Sequence, residues 1–384
     1  MRACTVAALR STAPTRHRRF AMETLDPQRR VVASIACGRD HTLALLVTGK
    51  VFGWGGDGSG RVPPDTPEYC STLKAPTSAV ELNTQQALVS VAAGHGISLG
   101  ITERRQVVVW GANAAGIGGR LNSVTLASPQ RVESVSGAHT IVAGEFSFGA
   151  IDTDGAIFTW GLNSEGALGR PTAHVNAIPA RVSHVPSASQ LVAGKGFMLA
   201  LTRSGELFAW GNNAAGQLGL GHLATIATPQ RLLPQRKFVS IDAGATHTLA
   251  VTTEGDVFAW GSNHHGQLGQ SRLRYCAVPA PVKLPAPVRA VAAGMHFSLA
   301  LGVSGEVYAW GWNGQGQLGL NDAEDRYAAA RVPGLEHVGL IAAGETHAVA
   351  STTGALLGWG NNAAGQLGSA DRKQLHPSPF FALS

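Results

Sequence analysis

Seven Trp-Gly pairs recur along this chain at a nearly constant interval, and that period limits the folds open to it more than any other feature. They begin at Trp54, Trp110, Trp160, Trp210, Trp260, Trp310 and Trp359, with successive spacings of 56, 50, 50, 50, 50 and 49. A second marker keeps the same register, an apolar-Gly step at Gly38, Gly94, Gly144, Gly194, Gly244, Gly294 and Gly344. Two unrelated residue types sharing a period of about 50 residues mark a solenoid, a propeller or an array.

One repeat is enough to choose among these. Val192 to Gly221 reads VAGKGFMLALTRSGELFAWGNNAAGQLGLG. Phe197 to Leu201 is a short apolar run, Arg203-Ser204-Gly205 is a tight turn, and Leu207 to Trp210 resumes the apolar run, which together make a hairpin. Gly205 stands where the turn calls for positive φ, and Gly155, Gly255, Gly305 and Gly354 take the same slot. Repeat two has Glu103-Arg104-Arg105-Gln106 there, which predicts a longer or strained connection. After each Trp-Gly comes a loop such as GNNAAGQLG from Gly211. A Pro-led segment (Pro129, Pro179, Pro229) and a further apolar run such as Phe238–Ile241 follow it. That is about four short strands per repeat and no confident helix. Four short strands cannot bury both faces alone, whereas seven such sheets around an axis bury each other. The expected fold is all-β, a seven-bladed propeller of four-stranded antiparallel blades closed by the chain termini, with the repeated tryptophans as wedges between blades. The final HPSPFFALS from His376 resembles the segment preceding a repeat, so one terminus is expected to lend a strand to a blade built by the other, leaving no free edge.

The propeller takes in residues 31–384 and leaves a basic tail at 1–30. That tail holds seven arginines against Glu23 and Asp26, so of the net charge of +6 only +1 belongs to the rest of the chain. The body is therefore not expected to track phosphates, and no nucleic-acid binding is predicted for it. Residues 1–22 lack acids and are rich in Arg, Ser and Thr, as mitochondrial transit peptides are, which sets mitochondrial import beside the default of an intracellular, cytoplasmic monomer. A plain disordered tail, or an upstream start with Met22 the real beginning, is the other reading of that stretch. Cys4, Cys37, Cys70 and Cys276 have neither metal-ligand spacing nor the density of a disulfide framework. No apolar run approaches a membrane span.

Small-molecule chemistry is thinly represented. Gly314-Gln315-Gly316-Gln317-Leu318-Gly319 spells a dinucleotide fingerprint, but it is one copy of the repeat loop without the strand and helix such a site requires. No cofactor, no metal and no small-molecule catalytic site is expected. His41, His247 and His347 each follow the marker glycine by three residues, with His95 and His296 nearby. Such residues either hydrogen-bond their own loop or form a ring for a metal or a partner. Asp40, Glu145, Asp242, Glu345 and Lys195 vary between repeats, and variable residues on a repeated frame are where recognition resides. Trp312 stands outside the periodic set and is a candidate surface anchor. His264-His265 in repeat five reads as plain loop solvation.

These residues resemble the repeats of the regulator of chromosome condensation family. Its Ala-Gly, His, Gly turn and Trp-Gly-x-Asn-x-x-Gly-Gln-Leu-Gly are matched in repeats four to seven. The resemblance implies a seven-bladed propeller used for protein interaction. The founding member is a guanine-nucleotide exchange factor for the small GTPase Ran, acting through acids and histidines after the marker glycine. Carried over by position, this implies partner-binding roles for Asp40, His41, His247, Glu345 and His347. Repeats three and four depart from the pattern, with Phe146-Ser147-Phe148 and Gly196-Phe197-Met198 where a histidine would stand. Family members commonly insert a wedge hairpin, and the one long insertion here lies between Trp54 and Gly94, punctuated by Pro63, Pro64, Pro67 and Tyr69. The Gly-Trp-Arg-His-Thr motif of the plant ultraviolet photoreceptor does not occur. The alternative to exchange is a non-catalytic scaffold or assembly factor, mitochondrial if residues 1–22 are a transit peptide.

Overall fold

A computed structural model of the protein describes residues 31–56, 80–113, 118–119, 125–233, 235–270, 273–369 and 371–383. The tail at 1–30 and the insertion with Pro63, Pro64, Pro67 and Tyr69 lie outside the described residues. The rest forms seven sheets, each of four consecutive antiparallel strands, as the repeat predicts. In blade 4 these are Ala188–Ala193, Phe197–Thr202, Leu207–Gly211 and Ile226–Leu232. First strands of adjacent blades touch one another around the whole ring, blade 7 back to blade 1 included, so they are the inner edges around a central axis. Second strands such as Phe197–Thr202 and His247–Thr252 are buried at every residue, and Ser147–Asp152 at all but its last, because a neighbouring blade covers each face. No helix among the described residues is long and apolar enough to cross a membrane.

The loop motif is a clamp between blades. Asn213 Oδ1 accepts the Leu218 N–H at 3.0 Å, and its Nδ2 donates to the carbonyls of His222 at 2.7 Å and Ala224 at 3.1 Å. This leaves Gln217 with its carbonyl turned to the next blade, where it accepts the indole N–H of Trp260 at 2.9 Å. Trp310 and Trp359 repeat the bond to Gln267 and Gln317. All seven repeat tryptophans are fully buried, so they are the wedges the period predicts. The last glycine of the loop lies beneath the next indole: a Cβ on Gly219 would sit 2.8 Å from Trp260 Nε1. The marker glycine has a comparable reason, since a Cβ on Gly38 would sit 2.5 Å from the carbonyl oxygen of Gly94 in the next blade.

Three expectations need correction. The first is closure, because no strand passes between first and last blades among the described residues. Val32–Cys37 opens blade 1, and Lys373–Ala382 is blade 7's own outer strand. The termini close the ring by packing complete blades together: Phe52 meets Phe381 at 5.1 Å between ring centroids, and Trp54 meets Phe380 at 5.2 Å. Secondly, the Pro-led segments are themselves outer strands, Pro229 lying within Ile226–Leu232 at a break in register. An outermost strand tolerates a residue with no N–H because its free edge faces solvent. The third concerns the turns. Gly155, Gly205, Gly255 and Gly305 have φ of 87°, 79°, 90° and 91°. Gly354 is not in the left-handed region, because blade 7 turns one residue sooner, with Thr352 N–H donating to Ala355 O at 2.9 Å.

In repeat two the connection is strained but no longer than its equivalents, with Arg105 in the glycine slot at φ 62°. Arg105→Gly is therefore expected to stabilise the protein by about 0.5–1 kcal/mol, relief of the left-handed strain exceeding the added freedom of the unfolded chain. Urea denaturation checks this, and a destabilised variant would show that the arginine side chain holds the turn.

Candidate functional site

Strands alternate in direction, so the loops joining first to second strands and the Gly-rich loops after the tryptophans emerge on one face. Every sequence-based candidate lies on that face or just beneath it. The residues after the marker glycine are Arg39, His95, Glu145, Lys195, Ala245, Met295 and Glu345. They follow the inner strands directly and so ring the mouth of the central axis. Their backbones interlock: Lys195 N–H donates to Ala245 O, Ala245 to Met295 O, Met295 to Glu345 O, Glu345 to Gly38 O and Arg39 to Gly94 O. The frame thus fixes these side-chain origins on five of the seven blades while leaving their identity free.

On blades 7, 1 and 2 the side chains converge. Arg39 Nη1 lies 2.6 Å from His95 Nε2, and His95 Nδ1 lies 3.0 Å from Glu345 Oε1. A guanidinium only donates, so His95 Nε2 is the acceptor and the imidazole proton sits on Nδ1, directed at Glu345. Lys195 and Glu145 pair at 3.5 Å on blades 3 and 4, and Phe146 stands exposed 5.4 Å from the His95 ring. Asp40 is part-exposed at the same mouth, its Oδ1 4.0 Å from His41 Nδ1. The structure therefore brings Glu345 together with Arg39 and His95, with Asp40 beside them in sequence but paired to His41. Sequence reasoning passed over Arg39 and the convergence itself. The available signal was that Arg39 falls directly after a marker glycine, at a position that differs from blade to blade.

The three repeated histidines are placed elsewhere. His41, His247 and His347 are fully buried, so direct contact with a partner is closed to them. Nor do their Nε2 hydrogen bonds go to their own loops. Their Nε2 atoms reach the following blade, to Ser98, Ser298 and Thr42, each at 3.0 Å. Burial holds His247 and His347 down at about 3, so both are neutral structural links. Burial likewise pushes the Cys37 thiol up to about 12, which leaves no thiolate nucleophile there.

Trp312 lies away from the charged group, half-buried between blades 5 and 6. Its ring centroid is 6.1 Å from that of His265, which stacks 5.4 Å from His296 and has Nδ1 3.0 Å from Asp325 Oδ2. His265 is therefore more than a solvated loop residue. The face has two parts, a charged arc on blades 7, 1 and 2 and an aromatic arc on blades 5 and 6.

Known proteins place this geometry in context. Residues 115–383 match the RCC1-like domain, and residues 32–61 match the regulator of chromosome condensation (RCC1) repeat. The secretion-regulating guanine nucleotide exchange factor of Bos taurus is 36% identical over 118 residues, which are 29% of this chain and 25% of that protein. The chain spans a quarter or less of the length of the first curated relatives it matches. Among solved structures, human WBSCR16 is similar at a TM-score of 0.77 and 24% identity, over 86% of this chain and 93% of that one. Prp20p of Saccharomyces cerevisiae is similar at 0.72 and 22%, over 83% and 82%. These two likenesses concern the fold. The family match, by contrast, takes in well over half of the sequence and agrees with seven blades whose Trp-Gly loops clamp their neighbours, and on those grounds the chain belongs to the RCC1-like domain family.

Proposed function

We propose that this propeller is a protein-interaction domain whose charged mouth engages a small Ran-like GTPase and speeds release of its bound guanine nucleotide. The observation that carries this reading is the convergence of Arg39, His95 and Glu345, residues the repeat does not dictate, at the axial mouth that the repeat does dictate, with part-exposed Asp40 next to Arg39 in the chain. Two named relatives support the direction taken: one is a secretion-regulating guanine nucleotide exchange factor, and Prp20p has been characterised for its binding to Gsp1p and histones. An exchange factor needs no nucleophile. It needs a surface that binds the nucleotide-free GTPase more tightly than the loaded one, so that nucleotide and propeller weaken each other's hold reciprocally.

The test is release of fluorescent GDP from Ran-like GTPases with the intact chain added. Stimulated release is expected, falling about tenfold, the loss of roughly 1.4 kcal/mol, in Glu345→Gln or Asp40→Asn. Both side chains are part-exposed, so these variants change the mouth without opening the core. Tight binding without accelerated release would replace exchange by the scaffold reading.

A further inference from the structure

A second feature lies on the same face, in the aromatic arc. Asn263, His264 and Arg274 of blade 5 and Tyr327 of blade 6 line a cleft of about 410 Å³. Two of these residues are departures from the repeat. Where repeats four and seven carry Ala214-Ala215 and Ala363-Ala364, repeat five carries His264-His265. Tyr327 stands where the preceding outer strands have Ala227 and Ala277, each packed against the equivalent loop glycine. The blades close elsewhere without these side chains, so the frame does not require them.

The local bonds hold the cleft open and set its charge. Asn263 is consumed by the frame, with Oδ1 accepting the Leu268 N–H at 2.9 Å and Nδ2 donating to Leu273 O at 2.8 Å, and its own N–H donates to Arg274 O at 2.8 Å. Arg274 is thereby fixed at the rim by its backbone while its side chain stays exposed. Tyr327 bridges the two blades, its hydroxyl donating to His264 O at 3.3 Å. The acids of the adjoining loop are already engaged: Asp325 by His265 and by the Asn313 N–H at 2.9 Å, Asp322 and Glu324 by Arg326 at 2.5 and 3.7 Å. Among the described residues no carboxylate pairs with Arg274. The cleft therefore presents one uncompensated guanidinium, an exposed imidazole and a phenol wall.

We infer that the cleft between blades 5 and 6 binds an acidic peptide segment of a partner protein, one carboxylate seated on Arg274 between His264 and Tyr327. A guanidinium offers paired donors in the planar arrangement a carboxylate accepts. This assignment does not depend on exchange activity, since the cleft is separate from the charged mouth and its occupant needs no GTPase.

Blade 7 supplies a matched control. Asn362 N–H donates to Arg372 O at 2.9 Å, so Arg372 occupies the same backbone slot, but with Ala363 in place of His264. The experiment titrates the intact chain into a fluorescein-labelled hexaglutamate peptide at moderate salt and reads anisotropy, beside a phosphoserine peptide free of Asp and Glu and a neutral peptide. Saturable binding of hexaglutamate is expected, at least tenfold weaker in Arg274→Gln, weaker also in Tyr327→Ala, and unchanged in Arg372→Gln. Equal losses in the two arginine variants, or no saturation, would overturn the site, and capture of the phosphoserine peptide alone would overturn the carboxylate assignment.

Discussion

Trp260→Ala is expected to lower unfolding stability by about 4–6 kcal/mol, the sum of a large aromatic cavity at about 3–5 kcal/mol and one lost buried hydrogen bond at about 1. The indole is fully buried in one cluster with Leu199, Leu218 and Leu232 of blade 4 and with Ile241 and Ala250 of its own blade. Its removal therefore opens a void between blades, where neither sheet can collapse without breaking the ring. It also takes one of two donors from the Gln217 carbonyl, which accepts the indole N–H at 2.9 Å and keeps only the Thr248 hydroxyl, also at 2.9 Å. Trp260→Phe keeps most of the volume and loses the bond, so it should fall between wild type and alanine. Trp312→Ala is the contrast: its ring is half-buried at the face, and a loss below about 1 kcal/mol is expected. Urea denaturation followed by far-ultraviolet circular dichroism measures all three. If Trp260→Ala and Trp312→Ala cost the same, the wedge role of the periodic tryptophans is wrong.

The contrast between two tryptophans shows why the fold could be read from the sequence and much of the site could not. Burial between blades is demanded of every repeat, so Trp260, Asn213 and Gly219 recur at one offset and their roles follow from recurrence. His247 recurs as well, and recurrence alone cannot tell a side chain facing the axis from one facing the next blade. The decisive fact is three-dimensional: the imidazole lies against its own marker glycine, in the space a Cβ there would need, and points at Ser298. Blades 4 and 6 place Phe197 and Phe297 against the same glycine position, which marks the slot as a packing site. Arg39 is the opposite case. It belongs to no pattern, and its link to Glu345, 306 positions later in the sequence, runs through His95 and exists only because the blades close into a ring. Recognition residues on a ring are unpatterned and distant in sequence, so a repeat locates their positions without disclosing which of them act together.

The same buried histidines are expected to make the protein acid-labile. In the folded ring His247 and His347 are held down at about 3 by burial, against an ordinary value of 6.5. The hydroxyl of Ser298 donates to Gln267 O at 2.8 Å and that of Thr42 to Gln366 O at 2.8 Å. Each hydroxyl thus accepts from Nε2–H, leaving Nδ1 as the atom a second proton would reach, inside the core. Because the folded value lies below the unfolded one, the unfolded chain binds the extra proton first. The contribution to stability is complete above about 6.5 and is lost as pH falls from there towards 3. By pH 5 the loss is about 2 kcal/mol for each histidine, and near pH 3 roughly 4–5, so the pair approaches the whole stability of an ordinary domain. Asp242 works in the other direction. Burial raises it to about 6 against the donors Ala293 N–H and Ala243 N–H, so its contribution is full below about 3.8 and lost as pH rises through 6. Its residue is only half-buried, and solvent screening makes it the smaller effect. Phenylalanine already fills the slot in blades 4 and 6, and Ser298 and Thr42 keep their backbone acceptors without an imidazole. The double variant His247→Phe, His347→Phe is accordingly expected to fold at pH 7.5 and to retain about 4 kcal/mol more of its stability than wild type on going to pH 5. Chemical denaturation at the two pH values reads the difference, and a double variant losing as much as wild type would assign the acid sensitivity to the carboxylate pairs of the face instead.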